Sequence, residues 1–119
     1  MAAMTPKQRA LIQRIQALVT DQSNVREVSM FGGRAIMVND KMVVSAGNAG
    51  ELLVRVDADH HDALLSEPGA ARAEMGAGRS MGPGWIIINP EALTEDEHLN
   101  FWVNAAMSYN QAITQPKPQ

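Results

Sequence analysis

Three short apolar segments lie close together in the first half of this sequence, and their spacing limits the folds that the chain can adopt. They cover residues 34–38, 41–46 and 51–56, and each is rich in Val, Ile, Leu or Met. Asn39 and Asp40 separate the first two segments. Because both residue types tolerate positive φ, they favour a two-residue hairpin loop. A Gly-Asn-Ala-Gly turn follows the second segment, so the pattern predicts a three-stranded antiparallel meander.

Two adjacent glycines, Gly32 and Gly33, interrupt a stretch that is otherwise mostly apolar from residue 28 to residue 38. Glycine weakens the interior of a strand and usually marks a bulge or a close backbone contact. We therefore interpret 28–38 as one long strand that twists or bends at the glycines. A second interpretation stays open, a backbone-lined binding surface with Arg34 at its rim, since glycine also allows a ligand to approach closely.

Helix signals flank these strands. A Thr-Pro pair near the start of the chain and a Thr-Glu-Asp-Glu run near its end are capping patterns, and apolar residues at helical spacing follow each of them. Helices are predicted over residues 6–21, 58–65 and 94–113, further strands over 71–75 and 85–89, and a glycine-rich loop over 76–84.

The predicted elements have the order α-βββ-α-ββ-α. We expect an α+β fold, with a single antiparallel sheet of about five strands and helices on one face. The 119 residues, of which 45% are apolar, suffice for one compact domain with a hydrophobic core. This domain is predicted to span residues 1–119, with a frayed tail over 114–119.

Composition narrows the classes of function. The chain has no cysteine, which excludes disulfides, thiolate catalysis and cysteine-ligated metals and fits the cytoplasm. No apolar run approaches the roughly 18 residues of a membrane span, and no signal peptide is evident. The net charge is −3, so a broad basic surface for nucleic acid is not expected. The sequence therefore predicts a soluble cytoplasmic protein without a membrane partner.

The residues suited to chemistry do not form a recognisable active site. His60 and His61 lie among aspartates, but adjacent helical positions point about 100° apart, and a zinc-binding histidine pair needs i, i+4 spacing. The glycines of the 76–84 loop lack the strand–loop–helix context of a nucleotide-binding loop. No nucleophile, base and orienting group can be named together. We predict no enzymatic activity, no catalytic residue, no metal and no cofactor.

Several short motifs occur in an order that resembles a known family. They are MFGG at 30–33, VNDKM at 38–42, LLVRV at 52–56, ALLSEPGA at 63–70, GRSM at 78–81 and GWIII at 84–88. Together they resemble the N-terminal domain of the TfoX/Sxy proteins, which are bacterial regulators of natural competence. The resemblance covers roughly residues 25–102.

The resemblance implies an α+β fold and no known enzymatic activity. The founding members are positive regulators of competence genes that are regarded as working with a transcription activator rather than reading DNA alone. The resemblance therefore implies a regulatory or interaction module whose partner is a protein, such as a transcription regulator. Many members carry a second, helical domain, and we expect this chain to be a stand-alone domain of the N-terminal type.

The last predicted helix carries two apolar stripes, whereas a surface helix packed on one core needs only one. The first stripe contains Leu99, Trp102, Val103, Ala106 and Ile113, and the second contains Phe101, Ala105 and Ala112. The second stripe favours contact with a partner, for example the same helix of a second subunit in a homodimer. The alternative is that both stripes lie under neighbouring elements of the domain.

Two other functions stay open from the residues alone. A local basic patch would bind nucleic acid if the fold brought together Arg34, Arg55, Arg72 and Arg79. The 76–84 loop, which contains Arg79, would cover a small-ligand pocket if one lies beside the glycine pair. The candidate binding residues are therefore Gly32, Gly33, Arg34, Arg79 and Trp102.

Overall fold

The computed structural model of the chain describes residues 5–20, 25–30, 33–73 and 82–114. The helices in these ranges are α1 (Pro6–Leu18), α2 (His61–Leu64) and α3 (Asp96–Thr114). The strands are β1 (Val25–Met30), β2 (Gly33–Val38), β3 (Lys41–Ala46), β4 (Leu52–Arg55), β5 (Ala70–Arg72) and β6 (Trp85–Ile88). Short 3-10 turns, Ala58–His60 and Pro90–Leu93, precede α2 and α3.

The six strands form one antiparallel sheet in the order β1-β2-β3-β4-β6-β5. The predicted α+β class and single antiparallel sheet are confirmed, with one strand more than the five expected. Strands β2, β3 and β4 form the predicted meander. In its first hairpin Val38 pairs with Lys41, and the two loop residues, Asn39 and Asp40, have φ values of 53° and 67°.

The additional strand is β1. Met30 pairs with Gly33, and the pairing continues to Val25 opposite Val38. The chain therefore reverses direction between β1 and β2, and the interpretation of 28–38 as one long bent strand is wrong. The stretch looks continuous in the sequence because the end of β1 and most of β2 are apolar, and hydrophobicity alone does not mark a point of reversal.

A bulge in β3 explains why consecutive residues of this strand are apolar. Val44 pairs with Ile36 of β2. The next β2 residue, Met37, pairs with Met42, which leaves Val43 as the extra residue. Because a bulge re-aims side chains, Val43 and Val44 both belong to the core on the helix side of the sheet.

Helices α1 and α3 cover one face of the sheet, as predicted, and the main core lies between them and the strands. Its largest fully buried side chains include Trp102, Ile15, Ile36, Leu52, Ile86, Ile88 and Leu93. Burying each of these aliphatic side chains stabilises the fold by about 1.5–3 kcal/mol. A smaller cluster on the other face contains Ala35, Met37, Met42, Leu53 and Ala73. The predicted alternation in β4, with Leu53 facing away from Leu52 and Val54, is confirmed.

The helix ends follow the capping signals in part: α3 begins at Asp96 rather than at residue 94, and the hydroxyl of Thr94 donates to the carbonyl of Glu91 in the preceding 3-10 turn. The hydroxyl of Thr5 accepts the N–H of Gln8 and Pro6 occupies the first helical position, as predicted, although α1 ends at Leu18 rather than near residue 21. Among the described residues, no helix combines the length and the hydrophobicity that crossing a membrane requires. Most of the predicted 76–84 loop and the predicted tail lie outside the described residues.

Candidate functional site

A groove of about 480 Å³ runs between α3 and the segment of residues 56–64. Helix α3 contributes Phe101, Ala105, Ser108, Tyr109 and Ala112 to its lining. The opposite wall consists of Val56, Asp57, His60, Ala63 and Leu64. We call this feature the α2–α3 groove. It is larger than two further hollows, of about 340 and 360 Å³, that flank Arg14 on α1.

The α2–α3 groove exposes the second apolar stripe of α3. The residues of the first stripe that are at most 2% exposed are Leu99, Trp102, Val103 and Ala106. By contrast, Phe101 is 42% exposed, Ala105 is half-buried and Ala112 is exposed. Ile113 was assigned to the first stripe but is 41% exposed, so that stripe ends before it. The two stripes therefore have different environments: the first packs on the sheet and the second lines the groove.

The wall opposite α3 is held by two hydrogen bonds. The carboxylate of Asp57 accepts the backbone N–H of Asp59 at 2.9 Å, which starts the 3-10 turn. His61 is 7% exposed, and its Nδ1 accepts the backbone N–H of Gly84 at 3.0 Å. The wall is thus anchored to the residue that precedes β6.

The two histidines have different environments, because adjacent helical residues point about 100° apart. His61 is buried and uses Nδ1 for Gly84, whereas His60 is exposed and lines the groove. Within the described parts of the chain, no group of three or more His, Asp or Glu side chains is placed to hold a metal ion. His61 thus stabilises the fold, and His60 belongs to the groove wall.

One carboxylate, that of Asp57, lines the groove, and Asp59 and Asp62 lie on the same short segment. Asp59 and Asp62 are exposed, and none of the three forms an ion pair with a residue that the structure describes. Their negative charge is therefore not locally neutralised by these residues.

Arg55 stands beside the groove but is held by aromatic rings. Its Cζ lies 5.2 Å from the ring centroid of Trp85 and 5.6 Å from the ring centroid of Tyr109. Both distances are within the range of cation–π contacts. These contacts connect β4 and β6 to α3, and they place the guanidinium against the rings rather than free at the surface.

Arg34, a candidate binding residue, is paired within the sheet. Its Nε donates to Glu27 Oε2 at 2.8 Å, and its Nη1 donates to Ser29 Oγ at 2.7 Å. Both partners lie on β1, and the side chains of Arg34 and Glu27 are only 32% and 22% exposed. The positive charge is thus compensated locally, and Arg34 offers little attraction to a phosphate.

The arginines that were considered for nucleic-acid binding are spread over the sheet. In the strand register Arg34 is level with Leu52, at one end of β4, whereas Arg55 is at the other end of β4. Arg72 lies on the edge strand β5. Arg79 lies outside the described residues. The three described arginines therefore do not form a single basic patch.

Gly33 lies where β2 approaches β3 closely. A Cβ atom on Gly33 would be 2.6 Å from the carbonyl oxygen of Ala46 and 3.0 Å from Ser45 Oγ. Both atoms belong to β3, so the absence of a side chain at Gly33 has a packing reason within the sheet. Gly32 lies outside the described residues, and a ligand pocket beside the glycine pair stays a prediction.

Replacing Gly33 by Ala should lower the free energy of unfolding by about 1–3 kcal/mol, because the new Cβ atom meets a backbone carbonyl that cannot rotate away. Urea denaturation followed by circular dichroism measures this loss. Gly47→Ala is the matched control, since the three atoms nearest to its added Cβ atom all belong to the carboxylate of Glu51, a side-chain group that can move. We expect the control to cost less than about 1 kcal/mol. Equal losses in the two variants would contradict the packing role of Gly33.

Trp102, the last candidate binding residue, lies in the core. It is 2% exposed, and its ring centroid is 5.2 Å from that of Phe101, with an angle of 89° between the planes. This edge-to-face pair joins the buried stripe of α3 to the stripe in the groove. Phe101, not Trp102, therefore presents aromatic surface to the solvent.

The family comparison agrees with this architecture. The family model of the TfoX N-terminal domain matches residues 17–109, from the end of α1 into the second half of α3. This range extends slightly beyond residues 25–102, on which the resemblance in motifs rests. No curated protein matches the chain significantly. Because the match covers most of the 119 residues, the chain belongs to the TfoX N-terminal domain family.

Proposed function

We propose that this chain is a non-enzymatic regulatory module that acts in the cytoplasm by binding a protein through the α2–α3 groove. Membership of the TfoX N-terminal domain family supports the regulatory role. The observation that carries protein binding is the exposed stripe of α3, where Phe101, 42% exposed, stands at the edge of a groove with small side chains along α3. A large exposed aromatic residue beside a concave apolar surface is typical of an interaction site.

The partner we propose is a transcription regulator. The TfoX/Sxy proteins that the chain resembles work with a transcription activator, and a groove suits a protein segment better than a nucleic-acid duplex. The charge distribution supports the same choice, since the net charge is −3 and Arg34 and Arg55 are engaged within the domain. Cations that are already engaged within the domain gain little from phosphate contacts.

A complementation experiment tests the proposal. In cells that encode this chain, deleting it should change the levels of a set of transcripts, and the wild-type chain should restore them. Ser108→Lys puts a long cationic side chain into the groove and should fail to restore the transcripts. Asn104→Lys adds the same charge to the same helix outside the groove lining and should restore them.

Both variants should keep the thermal stability of the wild type, because Ser108 and Asn104 are exposed and surface substitutions are usually within about 0.5 kcal/mol. Restoration by Ser108→Lys at the wild-type level would refute binding through the groove. An unchanged transcript profile after deletion would refute the regulatory role itself.

A further inference from the structure

The spacing of the α3 residues in the groove is that of a helix-packing seam. Phe101, Ala105, Ser108 and Ala112 follow one another at intervals of four, three and four residues. This is the repeat with which one helix presents a continuous line of side chains to another. Three of the four side chains are small, which lets a second helix approach closely. The shape of the groove therefore suits a helix.

The opposite wall makes the groove a cleft rather than a single helix face. Ala63 and Leu64 of α2 provide apolar surface there, while Phe101 and Tyr109 provide aromatic surface on α3. Peptide helices that bind in such clefts insert apolar residues at i, i+3 or i+4, and i+7. The occupant should therefore be amphipathic, with one apolar face toward the seam.

The charges around the groove select the polar face of that occupant. Asp57, Asp59 and Asp62 lie on the α2 side, and none of them forms an ion pair with a described residue. One cation beside the groove, Arg55, contacts the rings of Trp85 and Tyr109. Lysine or arginine residues flanking the apolar face of the occupant would complement these carboxylates.

A second copy of this chain fits the charges less well. A two-fold dimer brings the same surface patch of both subunits together. Pairing through this groove would therefore bring the aspartates of one α2 segment near those of the other, and like charges at an interface oppose association. A basic helix from a different protein meets no such repulsion.

From the seam, the cleft and the charges together, we propose that the α2–α3 groove binds a basic amphipathic helix of the partner protein. This inference rests on the proposed function, because it names the partner element for the same groove. The apolar face of the helix packs on Phe101, Ala105 and Ser108, and its basic flank faces Asp59 and Asp62.

Binding of designed peptides tests the inference. The probe is a fluorescein-labelled helical peptide of about 15 residues, made of Ala, Leu and Lys with the leucines on one face. A second peptide has Glu in place of every Lys, and a third has the composition of the first in scrambled order. Fluorescence anisotropy should show the Lys peptide binding at least about tenfold more tightly than either of the others.

Variants of the chain then locate the binding. Ser108→Lys should weaken binding of the Lys peptide by at least about tenfold, while the matched Asn104→Lys should change it less than about twofold. Asp59→Asn with Asp62→Asn should weaken it and reduce its dependence on salt concentration. If Ser108→Lys fails to fold by circular dichroism, Ala112→Lys, on the same exposed stripe, replaces it.

Three results would overturn the inference. One is equal or tighter binding of the Glu peptide. Another is an equal effect of the Ser108 and Asn104 substitutions, which would place the peptide elsewhere. The third is a dimer by light scattering that Ser108→Lys dissociates, which would make a second copy the occupant. If Ser108→Lys still fails to restore the transcripts in the complementation experiment, the proposal of protein binding through the groove stands even when one of these three results is found. The two proposals can therefore fail separately.

Discussion

Replacing Trp102 by Ala is expected to lower the free energy of unfolding by about 3–5 kcal/mol, the range for large aromatic residues removed from a core. Trp102 is the largest of the fully buried side chains among the described residues, and it is 2% exposed. It lies in the main core formed by α1, α3 and the sheet, so its removal leaves a cavity that rigid neighbours cannot fill. Urea denaturation of the wild type and of Trp102→Ala, monitored by far-UV circular dichroism, measures the difference in the free energy of unfolding.

Phe101→Ala is the matched control, because the two residues are adjacent and their rings form an edge-to-face pair. Phe101 is 42% exposed, so we expect its truncation to cost only about 1 kcal/mol. The same variant removes the aromatic edge of the groove and should impair partner binding. A Trp102→Ala chain as stable as Phe101→Ala would contradict a core position and return Trp102 to the candidate interface.

The main features of the fold could be predicted from local signals in the sequence. Asn39 and Asp40 are among the residue types that tolerate positive φ, and both adopt it in the structure. The alternation in β4 and the cap at Thr5 also involve residues close together in the chain. Such features depend on local backbone preference and on the side-chain period, which a single sequence shows.

The missed strand has a physical explanation. Strand β1 contains Arg26 and Glu27 as well as apolar residues, and it follows residues without a helix or strand signal. In the structure, Arg34 of β2 pairs with Glu27 across the hairpin, which explains these two charged residues. The spacing of two residues between the strands was the available signal for a hairpin, but Phe-Gly is not one of the dipeptides typical of such loops.

Only half of the candidate site could be predicted. The second stripe of α3 follows from helical periodicity, so Phe101, Ala105 and Ala112 were identified as unusual. The wall that turns this stripe into a groove depends on His61, which binds Gly84 across 23 positions of sequence. No local pattern indicates such a contact, and for the same reason the sequence could not show that Trp102 and Phe101 would have opposite exposures.

The second large effect concerns Gly84, which holds the groove wall and the start of β6 together. Its φ is +92°, in the region that favours glycine, and a Cβ atom would lie 2.8 Å from the carbonyl oxygen of Val56. Its carbonyl accepts the N–H of Val56 at 2.8 Å while its N–H is bound to His61 Nδ1. Both the N–H and the carbonyl group of Gly84 thus form hydrogen bonds, and the backbone has little freedom to accommodate a side chain.

Gly84→Ala should therefore cost about 2–4 kcal/mol, combining the strain of a positive φ with a contact against fixed backbone. Gly82→Ala separates these two contributions, because Gly82 has a φ of +96° but an added Cβ atom would meet no atom of the described residues within 4 Å. The Gly82 variant should lose only about 1–2 kcal/mol in the same urea experiment. Equal losses would show that the contact with Val56 contributes nothing. A larger loss for Gly84→Ala, together with weaker peptide binding, would instead connect this glycine to the position of the groove wall.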